Sequence, residues 1–156
     1  MAINTSRVIL GGLAAGLVMN VIGGVVNGML LGSRMNAEME AAAPGLAART
    51  SMGGTIAVNV VMEFVIGILI VWLYAAMRPR FGSGPRTAIY AGLVPWICGL
   101  FFYSGWLLTG MMTSSTYAVV TCVALINVIA GGLVGGMLYR EEGLAGQGRI
   151  AVPSPS

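Results

Sequence analysis

The sequence predicts an all-α integral membrane protein: a four-helix bundle, N-in/C-in, with no separate soluble domain. Three observations predict it. Hydrophobic residues make up 57% of the 156-residue chain and charged residues only 8%, where soluble domains carry about 25% charged residues. The apolar residues gather in four runs, 8–31, 55–77, 88–108 and 117–139, each close to the roughly 20 residues that cross ~30 Å of hydrocarbon. Arginine then orients the runs. Arg7, Arg78, Arg80, Arg86, Arg140 and Arg149 fall at one set of span ends, while only Arg34 and Arg49 fall at the other, so the positive-inside rule places the first set, with both termini, in the cytoplasm.

The first run is too long for the apolar region of about 7–15 residues in a cleavable leader, and is expected to be retained. The connection after it contains NAEMEAAAPG, which predicts a short outer helix over about 36–43. Asn36 would be its N-cap, Glu38 and Glu40 would sit in its first turn, and Pro44-Gly45 would stop it. Met35 and Met39 share its apolar face, so it would lie on the membrane surface or over the mouth of the bundle. The second run leads into RPRFGSGPR, a Pro/Gly turn whose Arg78, Arg80 and Arg86 suit anionic lipid headgroups. Pro95 would kink the third run and free a carbonyl. The uncharged loop TGMMTSST is short enough to make the third and fourth runs antiparallel neighbours. Trp72, Tyr74, Tyr90 and Tyr139 are expected to line the inner interface, and Tyr103, Trp106 and Tyr117 the outer one. The tail spans 143–156, and its RIAVPSPS end (149–156) is expected to be disordered.

Two sets of residues stand out within the spans. Gly12 and Gly16, Gly24 and Gly28, Gly131 and Gly135, and Gly132 and Gly136 repeat at four-residue spacing, which lets helix backbones approach closely inside one chain or between chains. The polar set is Glu63, Asn20, Asn27, Asn59 and Asn127. At ~1.5 Å per residue Asn27 lies roughly 6 Å deep, Glu63 roughly 12 Å, Asn127 roughly 15 Å and Asn20 roughly 16 Å. The expectation is a buried cluster in which Asn20, Asn27 and Asn127 donate hydrogen bonds to the Glu63 carboxyl. A charge near mid-bilayer costs ~2.5–3.5 kcal/mol on insertion scales, against ~0.6 kcal/mol for an interhelical hydrogen bond, so a neutral Glu63 is expected unless water or an arginine reaches it. Asn20, Asn59 and Asn127 each open a similar Asn-Val-Ile/Val stretch with glycine eight residues on, too short a pattern to build a repeat fold on.

The eight basic residues are all arginine and the five acidic ones all glutamate. With no lysine there is no diffuse basic surface for nucleic acid. With no histidine, imidazole ligation of zinc or haem and a Ser-His-Asp hydrolase are excluded. No metal or other cofactor is expected; Met35, Met39, Met52, Met111 and Met112 could offer thioethers to Cu(I), but methionine is more often gap filler. Cys98 and Cys122 fall inside spans and form no disulfide framework.

The segment WLYAAMRPRFGSGPR (72–86), with LYRE at 138–141, resembles a widespread family of small, uncharacterised bacterial four-span membrane proteins. The resemblance implies a four-span fold in the bacterial inner membrane and carries no catalytic residue. The residues themselves point to a non-enzymatic integral membrane subunit whose partners are the lipid bilayer and itself or another membrane protein, packed through the glycine faces. The alternatives are a small channel or carrier using Glu63, and a subunit holding a hydrophobic ligand or pigment by shape.

Overall fold

The structure is a computed structural model, and it describes residues 3–139, with the side chains at positions 27 and 28 outside the description. Arg140, Arg149 and the 143–156 tail therefore lie outside the described residues. All the regular structure described is helical: α1 (Thr5–Val25), a π-helical turn (Val26–Leu31), α2 (Gly32–Ala42), α3 (Leu46–Thr50), α4 (Gly53–Phe81), α5 (Pro85–Leu108) and α6 (Ser114–Leu138). Four of these helical stretches are long and apolar enough to cross a membrane.

Each helix begins and ends for a local reason. Asn4 Oδ1 accepts the amide of Arg7 at 3.1 Å and caps α1, while the Asn4 amide donates to the Tyr139 hydroxyl at 3.4 Å and ties that start to the end of α6. Helix α4 runs through Pro79 to Gly82, which takes the left-handed conformation (φ 81°) that glycine adopts without strain. Pro85 then opens α5 at a position that needs no amide donor. The Gly84 amide donates to Tyr74 Oη, and Thr87 Oγ1 donates to the Gly82 carbonyl, closing the turn.

Two features differ from expectation. Helix α1 does not stop before a separate 36–43 helix with Asn36 as its cap. The chain stays helical through the π turn into α2, a helical stretch of 38 residues that measures about 57 Å at 1.5 Å per residue, longer than a ~30 Å hydrocarbon layer is thick. Gly32 and Ser33 keep helical conformation, and the wider π turn rotates the face that α2 presents. Tyr74 and Tyr139 are core residues, 5% and 4% exposed and packed edge to face at 6.1 Å, while Trp72 and Tyr90 are about half exposed, as a belt position requires.

Around the bundle, α1 packs on α4 and α6, α5 packs on α6 and α4, and α4 also meets α6 across the middle. Close packing is concentrated in the half near the ends of the described chain. There the buried residues of α1 run from Val8 to Met19, those of α4 from Gly67 to Ala75, and those of α5 from Thr87 to Gly92. Glycine makes this possible. A Cβ on Gly67 would stand 2.5 Å from the Gly12 carbonyl oxygen and 2.6 Å from the Gly16 nitrogen. Gly11 and Gly135 each face the other's carbonyl, at 2.8 and 3.0 Å from the would-be Cβ. Gly131 faces Met19, Gly132 faces the Ala88 carbonyl and Gly136 the Ala88 methyl, and Gly92 faces the Val128 carbonyl. In the far half a smaller cluster of Leu31, Met112 and Val120, flanked by Met35, Tyr103, Trp106 and Tyr117, joins the π turn to α5 and α6. The first half of α4 stays largely exposed there.

The contrast between filled and open glycines is testable by thermal unfolding in detergent. Gly67→Ala and Gly92→Ala drive a methyl into another backbone and are expected to destabilise by about 1–3 kcal/mol. Gly99→Ala meets nothing within 4 Å and is expected to be neutral or stabilising by up to about 1 kcal/mol through helix propensity.

Candidate functional site

The packed glycine half ends at a layer of polar groups. Gly67 lies against Gly12 and Gly16, and Glu63 is one turn further along α4 towards the looser half. Gly131 lies against Met19 and Ala15, and Asn127 is one turn further along α6 in the same direction. Both side chains thus belong to the layer beside residues 19–23 of α1. A Cβ on Gly23 would stand 3.8 Å from Glu63 Oε1, and Tyr103 of α5 is within electrostatic reach of the same carboxyl.

The hydrogen bonding differs from the expected cluster. Asn20 does not donate to Glu63: its Nδ2 donates to the Gly16 carbonyl at 2.9 Å and across to the Val60 carbonyl at 3.3 Å. The amide is drawn to these carbonyls because they lie along its own helix and the facing one, and the bond pins α1 to α4. Asn59 is exposed and folds back onto the Thr55 carbonyl at 3.0 Å, so it is no part of a buried cluster. Asn27 carries no described side chain. Asn127 is only 7% exposed, and its Oδ1 has no hydrogen-bond partner among the described residues. Glu63 Oε2 is likewise buried without a partner. The layer therefore holds two buried acceptor oxygens, on facing helices, with no donor to either.

The glycines divide as well. Gly12, Gly16, Gly131, Gly132, Gly135 and Gly136 are buried contacts inside the chain, whereas Gly24 is exposed with nothing within 4 Å of its would-be Cβ. Gly24 does not pack on this chain because it sits on the side of α1 turned away from α4 and α6. Gly28 lies outside the described side chains. Of the arginines assigned to headgroups, Arg80 and Arg86 are exposed. Arg78 instead lies over the rings of Tyr74 and Tyr139, at 5.9 and 5.5 Å from their centroids, an arrangement in which the ring faces attract the cation.

The best-satisfied charge is one that the sequence placed in a simple first turn. Glu38 Oε2 accepts the Thr113 amide at 3.0 Å, and Oε1 accepts the hydroxyls of Thr113 and Thr116 at 2.8 and 2.7 Å and Arg34 Nε at 3.2 Å. Arg34 also donates to the Ser115 hydroxyl. The carboxylate thus reaches from α2 to the N-terminus of α6, where unpaired amides and the helix dipole favour negative charge. Burial pushes the Glu38 carboxyl up, but hydrogen bonds from Thr116, the Thr113 amide, the Thr113 hydroxyl and Arg34 outweigh it and hold it at about 2, below the ordinary 4.5. The Arg34–Glu38 spacing of four residues and the TSST run were the available signals, but neither says that the two segments meet.

The fold and its polar layer define a class: an all-helical bundle with four helices suited to crossing a membrane and a polar layer across its interior. No family model matches the chain, and no curated protein or solved structure matches it either.

A depressed carboxyl stabilises the fold fully above its unfolded value, and that contribution is lost as pH falls from 4.5 towards 2. Melting temperature measured against pH in detergent is expected to fall across this window in the wild type and less steeply in Glu38→Gln. Equal slopes would contradict a stabilising role for the Glu38 contacts with the start of α6.

Proposed function

We propose that the chain is a non-enzymatic multi-pass subunit of the bacterial inner membrane, N-in/C-in, that associates with a second copy through one face of α1. The observation that carries this reading is the open Gly24. Leu17, Val21, Gly24 and Val25 form one exposed stripe at helical spacing, and in lipid, where apolar contact alone gives little drive, a glycine with branched neighbours favours close helix approach. A glycine left in a lipid-facing helix costs about 1 kcal/mol in propensity relative to alanine, which a helix contact at that position offsets. The arginine distribution supports the orientation, and the 72–86 segment supports the location.

A second reading, a small carrier working through Glu63, is favoured by the donor-free carboxyl oxygen in the interior layer. An ionisable residue inside a span marks an ion or proton path by default.

Mass measurement of the intact protein in mild detergent separates the first reading from its absence. Wild type is expected to be a dimer and Gly24→Leu a folded monomer, since nothing on its own chain obstructs that side chain. A wild-type monomer, or a dimer unchanged by Gly24→Leu, would contradict assembly through α1. For the second reading, reconstituted vesicles are expected to show a pH-dependent flux that Glu63→Gln abolishes; a flux that survives the substitution would count against it.

A further inference from the structure

We infer that Glu63 of α4 and Asn127 of α6 together bind a small monovalent cation, a proton or Na⁺, in the layer beside residues 19–23 of α1. This deepens the carrier reading and rests on it for its purpose, though binding can be measured without transport.

The argument is one of donors and acceptors. Glu63 Oε2 and Asn127 Oδ1 are buried oxygens without hydrogen-bond partners, although Asn127 is 93% buried by its 7% exposure. Leaving such an acceptor unpaired in the interior is costly, and more so for a charged group. Two nearby donors are committed elsewhere. Asn20 Nδ2 is bound to the Gly16 and Val60 carbonyls, and Trp96 Nε1 is bound to the Thr121 carbonyl at 2.9 Å. A third oxygen without its helical donor lies on α5, beside the turn that packs on Val128 of α6. Pro95 has no amide, so the fully buried Ala91 carbonyl lacks its normal helical donor four residues on. The next residue, Gly92, lies against Val128, the neighbour of Asn127. Carboxyl and amide oxygens from facing helices, both without a hydrogen-bond partner among the described residues, match the hard-oxygen preference of small cations. A proton on the carboxyl meets the same need by turning one acceptor into a donor.

The charged and titratable groups facing Glu63 are few. Tyr103 of α5 is the one within electrostatic reach, and the described parts of α1 and α6 carry none at this level. Nothing else in the layer therefore supplies compensating charge.

The test uses the full chain in lipid nanodiscs and a hydrophobic carbodiimide, which attacks a protonated carboxyl and leaves a mass tag located by peptide sequencing. Tagging of Glu63 is expected to fall several-fold when NaCl replaces choline chloride at fixed pH if the cation is Na⁺. If it is a proton alone, tagging should fall with rising pH and ignore Na⁺. In both cases Asn127→Leu and the milder Asn127→Ser are expected to shift the midpoint, while Asn59→Leu, on the exposed face, leaves it in place. Melting temperature under the same titrations gives a second readout and shows whether each variant is folded. Tagging and melting that ignore both Na⁺ and pH, or midpoints unmoved by both Asn127 variants, would overturn the site. Intact binding with no flux in vesicles would instead overturn the carrier reading alone.

Discussion

The closely packed half of this bundle depends on backbone meeting backbone at glycine. Gly67 rests on the Gly12–Gly16 turn, Gly11 and Gly135 face each other's carbonyls, and Gly92 and Gly132 close α5 against α6. In water, burial of large apolar side chains would hold such helices together. For helices suited to a membrane, lipid would offer those side chains an environment as apolar as the core, so association would come from dispersion at close range and from a few polar bonds. Removing side chains at the contact lets many weakly attracting atoms reach their optimal separation at once. Large buried side chains such as Ile70, Val71 and Met19 then fill the angles between the glycine contacts.

Where that packing ends, the chain places its polar groups. Asn20 bonds across α1 and α4 at the boundary, and Glu63 and Asn127 sit in the same layer. Beyond it, the far half is held by other means: a small Met- and aromatic-rich cluster, and the Glu38 carboxylate that fastens α2 to the start of α6. One half is thus defined by rigid backbone contacts and the other by side chains and a helical arm. Such a division leaves the first half of α4 largely exposed.

Much of this order was legible in the sequence and some of it was not. The four long helices followed from length and apolarity alone, and RPRFGSGPR marked the turn between α4 and α5, although α4 runs through Pro79 to Phe81 and Asn4 was not foreseen as the cap of α1. Which face each helix turns inward did not follow, because core and lipid-facing side chains are equally apolar and no amphipathic stripe separates them. Glycine spacing marked faces without saying which were used: Gly12–Gly16 is filled by Gly67 and Phe64, whereas Gly24 looks out. The continuous α1–α2 helix was missed because Asn36 is an excellent cap in isolation, and no local signal announces a π turn. Depth alone pairs Asn20 with the carboxyl, but the Gly16 carbonyl of its own helix and the Val60 carbonyl of α4 take its amide instead. Glu38 was read as a first-turn charge, and only tertiary folding brings Thr113 and Thr116 to it.

The account stands on the glycine contacts lying within one chain. Through-space nuclear magnetic resonance contacts between glycine α-protons test this most directly, in protein mixed from two differently isotope-labelled pools. Contacts of Gly67 with Gly12 or Gly16, and of Gly11 with Gly135, are expected between residues of the same labelled copy and at full strength when labelled chains are diluted with unlabelled ones. If those contacts appear only between differently labelled copies, or vanish on dilution, the ridges join separate chains and the bundle described here is not the folded unit.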